Sequence, residues 1–147
     1  MKKIITLLFT ALVSTSITFA QNNSTKKADK LFDRLEYVKA AEEYLKLADK
    51  SPDNYIIERL ADSYYNIFNT REAEKWYSKI IDDEPDAEVI FRYSEMLKAN
   101  GKYKESNVWM SKFSEMKPYD TRAIAFRNTP NYIDKIIKKG KRFNVQN

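Results

Sequence analysis

Between residues 24 and 116, apolar positions recur at three- and four-residue spacing in six stretches separated by short polar breaks, the pattern of amphipathic helices. The clearest stretch is Leu60 to Tyr77, LADSYYNIFNTREAEKWY. Leu60, Ala61 and Tyr64 mark the inner face of one helix, Ala73, Trp76 and Tyr77 that of a second, and the residues between leave room only for a turn. The spacing predicts helices near 24–34, 38–50, 54–67, 71–83, 87–99 and 103–116. Pro52, Pro85 and Pro118 close the second, fourth and sixth, because the residue before a proline is pushed out of helical geometry. Asp53, Asp86 and Asp120 follow, each placed to cap free amide groups at the next helix start.

The chain can be laid on itself one helix pair along. Ala28, Ala61 and Ser94 then align, as do Ala40, Ala73 and Ser106, and the three prolines. Two antiparallel helices that approach closely need small side chains where they meet and bulky ones in the gaps beside them. Tyr64, Trp76, Tyr77 and Ile80 fill that role in the middle copy, and Tyr93, Leu97, Trp109, Met110 and Phe113 in the third, with Gly101 at the left-handed turn. Leu31, Tyr37, Tyr44 and Leu47 serve the first, where Lys27 stands in place of an apolar residue. The order Leu60, Ala61, Tyr64, Ala73, Tyr77, Pro85 resembles the tetratricopeptide (TPR) repeat. The resemblance implies an all-α fold, a right-handed α-solenoid of about three helix-turn-helix repeats near 21–53, 54–86 and 87–119 within a domain spanning 21–138. After Pro118 the period breaks. Ala123, Ile124 and Phe126 lie on one short helical face and Tyr132, Ile133, Ile136 and Ile137 on another, which reads as a capping segment over 120–138.

Composition narrows the chemistry. Two glycines and four prolines favour helices over a many-stranded fold. With no cysteine and no histidine, thiol nucleophiles, imidazole bases, disulfides and the usual zinc sites are excluded. Lys2 and Lys3, an apolar run from Ile4 and the small residues Thr18 and Ala20 form a signal peptide over 1–20, which predicts export to the periplasm. No second long apolar run follows, so the mature chain is expected to lack a membrane span. The net charge of +5 is set by the ends. Of 26 basic side chains, two lie in the leader and five (Lys135, Lys138, Lys139, Lys141, Arg142) beyond the last acid, Asp134; the other nineteen face 21 acids. Nucleic acid is therefore not an expected partner. Residues 139–147 read as a basic tail or the start of a linker, and a membrane or polyanion contact there is the third functional alternative.

The TPR resemblance also implies a concave face, lined by the first helix of each repeat, that docks peptides or proteins. Counted from the fixed columns, it comprises Asp29, Phe32 and Asp33, then Tyr55, Arg59, Asp62, Tyr65 and Asn66, then Phe91, Arg92, Glu95 and Lys98. Aromatics beside arginine are the composition of binding hot spots. Asp29 and Asp62 stand where repeats that clamp chaperone-tail carboxylates carry asparagine, and they would repel such a group. The acids from Asp82 to Glu88 lack the glycine-centred loop of an EF-hand and read as a solvated turn. The open groove that the TPR resemblance implies would not raise an acid's pKa by burial, so a non-catalytic scaffold without metal or cofactor is expected.

The Asp120-x-Arg122-Ala123 step and the Thr129-Pro130-Asn131-Tyr132 step, after a leader and a TPR block, resemble the N-terminal region of OmpA-family outer-membrane proteins associated with type IX secretion and gliding. That resemblance implies an outer-membrane β-barrel of the PorP/SprF type, or another secretion component, as partner. It also implies peptidoglycan attachment in a longer form carrying an OmpA domain, with Arg142 to Val145 approaching the next strand. The alternative is a free-standing periplasmic chaperone or assembly adaptor for exported proteins.

Overall fold

The structure is a computed structural model, and it describes residues 24–129. The leader, the second capping piece from Tyr132 to Ile137 and the basic tail lie outside the described residues. Those residues form helices joined by turns, with no strand among them. They divide into two compact units, one running to Ile67 and the other starting at Phe68.

The first unit holds α1 (24–33), α2 (Tyr37–Ala48) and α3 (Asn54–Asn66), with α2 packed on α3. Its core is Ala28, Ala40, Ala41, Tyr44, Ile56, Ile57, Leu60 and Ala61. Asp53 caps α3 as expected, its carboxylate accepting the Ile56 amide at 2.8 Å, which satisfies one of the free donors of the first turn.

The second unit holds α4 (Thr70–Tyr77), α5 (Ala87–Ala99), α6 (Tyr103–Met116) and α7 (Thr121–Asn128). Here α5 packs on α4 and α6, and α6 on α7. Phe113, Leu97, Tyr77, Val89 and Ile90 are buried. The α4–α5 contact carries a polar clamp. Thr70 donates its hydroxyl to the Asn100 side chain at 2.6 Å, and the Asn100 amide donates to the Thr70 carbonyl at 3.0 Å and to Glu74 at 2.7 Å. Lys102 closes it with a 2.6 Å ion pair to Glu74.

Every residue of the two small columns is buried: Ala28, Ala61 and Ser94, then Ala40, Ala73 and Ser106. Serine is tolerated at position 94 because its hydroxyl donates back to the Phe91 carbonyl, 2.7 Å away in the same helix, so no polar group is left bare. The period shows elsewhere too. Lys79 sits over the Trp76 ring at 3.8 Å, and at the equivalent place one repeat on Lys112 sits over Trp109 at 3.9 Å, each a cation facing the negative side of an indole.

Three local expectations are corrected. The helix predicted to 83 ends at Tyr77, and the chain continues through bonds to the third residue back: Lys79 to Trp76, Ile80 to Tyr77 and Asp83 to Ile80. Ile80 and Ile81 stay buried in this tighter winding, so the apolar pattern persists past the helix. Asp86 precedes α5, but its side chain takes no capping bond. On α7 the inward residue is Ala123, with Phe126 half-buried, whereas Ile124 is exposed.

The turns within the repeats share one conformation. Gly101 has φ of 80°, and at the same offset Phe68 and Leu35 have φ of 56° and 62°. At two of the three the αL residue closes a Schellman turn, with the Glu36 amide donating to the Leu31 carbonyl at 2.9 Å and that of Lys102 to Leu97 at 2.8 Å. Leucine and phenylalanine are strained in this region of backbone space, and both side chains are largely exposed. Leu35→Gly and Phe68→Gly are each expected to raise stability by a few tenths to about 1 kcal/mol, strain relief outweighing glycine's entropy. Gly101→Leu, whose side chain would meet open space, should lower it by a similar amount through strain alone. Urea midpoints of the three variants check this, and a fall on glycine substitution at 35 and 68 refutes it.

Candidate functional site

In the first unit, four of the expected face residues converge. Asp29 of α1 is the hub, accepting hydrogen bonds from the Tyr44 hydroxyl of α2 and from the Tyr55 hydroxyl of α3, the latter at 2.7 Å. Arg59, one turn after Tyr55, donates to that hydroxyl at 3.3 Å and lays its guanidinium 4.3 Å from the centre of the Phe32 ring. Phe32 in turn meets Tyr37 edge-on at 5.1 Å. Burial alone would raise the Asp29 pKa, but hydroxyl donors from Tyr44, Thr25 and Tyr55, with Arg59 nearby, hold it below the ordinary value. Burial and the same carboxylate push the Tyr44 phenol far up, so it stays a neutral donor. The cluster joins three helices through satisfied polar groups.

The remaining face residues of this unit are placed differently. Asp33 is exposed and Tyr65 half-buried. Asn66 is exposed and donates back to the Asp62 carbonyl at 2.8 Å. Asp62, expected on the open side, is only 4% exposed. It occupies the place in its repeat that Asp29 holds in the first, and Asp29 too is partly covered, because this position lies beside the buried small column rather than on the open side of the helix.

In the second unit, Phe91, Glu95 and Lys98 of α5 line a cleft of about 280 Å³ closed by α6 and α7. Met110 and Phe126 complete its apolar floor, and Asn107 and Tyr103 stand on its lining as polar groups. Arg122 fixes one wall. It donates to both oxygens of Glu88 at 3.1 and 3.0 Å and to Asp120 at 3.0 and 2.9 Å. Its guanidinium lies 4.1 Å from the centre of the Phe91 ring and 4.9 Å from that of Phe113. These hydrogen bonds depress the Asp120 carboxyl and raise the Arg122 guanidinium further above its ordinary value. Arg127 fastens the other end of α7 to the Ser114 hydroxyl at 2.6 Å. Arg92 is half-buried, 3.5 Å from Glu88.

Arg122, Met110 and Phe126 were not among the expected face residues. The signal for Arg122 was its place two residues after a capping aspartate; its second partner, on a different helix, has no local trace. Glu88, read as part of a solvated acidic turn, is the carboxylate that α7 docks against. Among the described residues no helix is long and apolar enough to cross a membrane.

No family model and no curated protein matches the sequence. Among solved structures, the chain is similar to the second TPR domain of human RPAP3, determined by NMR in complex with an HSP70 peptide. The identity is 22% and the TM-score 0.61, over 73% of this chain and 92% of that one. The likeness, with the helical order and the buried small-residue columns, shows the fold: this is an all-α chain of TPR helix-turn-helix repeats.

Proposed function

We propose that the protein is a non-catalytic scaffold that docks a protein partner through the first-helix side of its repeats, and that it does so outside the cytoplasm. The observation that carries the reading is the cleft of the second unit, where an apolar floor of Phe91, Met110 and Phe126 lies beside a wall formed by the ion-paired Arg122. Pre-organised apolar recesses with few polar groups are where binding energy concentrates. The RPAP3 domain with the same fold is complexed with a peptide, which supports a polypeptide as the occupant here. Export rests on the leader over 1–20. The partner class we favour is an envelope or secretion component, including a β-barrel of the PorP/SprF type.

A photo-crosslinking residue tests both parts. Placed at Lys98, on the cleft, it should yield one dominant adduct in the cells that make the protein; placed at Lys46, it should yield none. Equal labelling from both positions, or from neither, refutes the cleft as the docking site. The same material should begin at Gln21 on N-terminal sequencing and fractionate with the envelope. A chain that keeps Met1 overturns the exported reading.

A further inference from the structure

Taking the proposed docking site as given, we infer that the cleft between α5, α6 and α7 receives one large apolar side chain, aromatic or leucine-like, from within a peptide segment, and that no carboxylate is read there. Size supports this first. An apolar cavity of about 150 Å³ admits a benzene-sized ring. The cleft holds about 280 Å³, enough for one such side chain with part of its backbone.

Charge decides the rest. The guanidinium on the cleft wall is Arg122, and four of its five N–H donors are already committed. Nε goes to Asp120, Nη1 to Glu88, and Nη2 to both. Its face is stacked on Phe91. An incoming carboxylate would find a single Nη1 N–H left, on a cation that already faces the carboxylates of Glu88 and Asp120. The lysine on the lining, Lys98, lies 3.8 Å from Glu95, which also lines the cleft and would repel a second acid. The lining is thus internally balanced. A neutral apolar group loses nothing on entering it, whereas a carboxylate would leave water for a site whose cations, Lys98 and Arg122, already have carboxylate partners. Asn107 and Tyr103 on the lining supply groups suited to the amide backbone on either side of the anchor.

A matched pair of probes separates the two chemistries. N-acetylphenylalaninamide is neutral, and N-acetylphenylalanine carries a carboxylate on the same ring-bearing residue. Titrated into the full ¹⁵N-labelled chain, the amide is expected to shift the backbone signals of Asn107, Met110 and Ala125 saturably, and to bind about ten-fold more tightly than the acid, the cost of one poorly compensated charge. Ala125→Trp, at an exposed position on the lining, should abolish the shifts; Thr129→Trp, at the other exposed edge, serves if the first variant melts early. Equal or tighter binding of the acid overturns the inference. So does an unchanged response in a folded blocked variant, or the absence of any shift in the full chain. A dominant crosslink from Lys98 with no amide binding would leave the scaffold standing and remove only this anchor; amide binding without a crosslink would do the reverse.

Discussion

Phe113→Ala is expected to lower the stability of the second unit by about 3–5 kcal/mol, the range for truncating a fully buried phenylalanine. The ring is completely buried. It lies 5.3 Å from that of Phe91, with the Arg122 guanidinium 4.9 Å from its own centre. Removing it takes away the transfer energy of the ring and leaves a void under both neighbours, so α5, α6 and α7 lose their common support. Urea unfolding followed by hydrogen exchange checks the size and the place of the effect. Protection should fall in α5 to α7, while α1 to α3 keep theirs to the extent that the repeats are energetically separable. Arg122→Ala is the informative contrast. Its ion pairs are partly exposed, and pairs of that kind contribute roughly 0–1 kcal/mol each. It should therefore cost clearly less than Phe113→Ala while still loosening the cleft wall. A loss below about 1 kcal/mol for Phe113→Ala would mean that the stack is not the core of this unit.

The difference between those two variants reflects what the sequence could and could not convey. Buried small residues were legible because two helices in contact leave no other choice at Ala40, Ala73 and Ser106, and the repeat prints that constraint three times. The αL turn was legible at Gly101, where residue type and conformation agree. It was not legible at Leu35 and Phe68, where the geometry of the repeat overrides an unfavourable local preference. The end of α4 was hidden for a similar reason: Ile80 and Ile81 continue the apolar pattern while the backbone winds more tightly. For the candidate site, position along the helix found Phe91, Glu95 and Lys98. It put Asp62 on the open side although the residue adjoins the buried small column, and it could not tell that Arg122 reaches across to Glu88, since a pairing between distant helices has no sequence period.

Asp29→Ala should be the most disruptive polar substitution in the first unit, costing about 1–3 kcal/mol for each buried hydroxyl left without its acceptor. Tyr44 is fully buried and donates its hydroxyl hydrogen bond to this carboxylate, so its hydroxyl bears most of the loss. Tyr55→Phe, which removes one donor and leaves the acceptor served by Tyr44, should cost only about 0.5–1.5 kcal/mol. The carboxylate also makes the unit acid-sensitive in a defined direction. Its folded pKa lies below the ordinary 3.8, so its contribution is fully present above that value and disappears as pH falls through the depressed folded one. Asp29→Asn keeps an oxygen acceptor but has no proton to gain, and should lack this part of the acid response. Urea midpoints at neutral pH and at a pH below 3.8 compare the two proteins, and an identical acid loss in both would remove Asp29 as its source. The result bears on function as well. If Asp29, Tyr55, Arg59 and Phe32 hold α1 to α3 in this way, substitutions there impair folding before they touch any partner, and the exposed lining of the cleft, Lys98, Ala125 and Thr129, becomes the place where binding and stability can be separated.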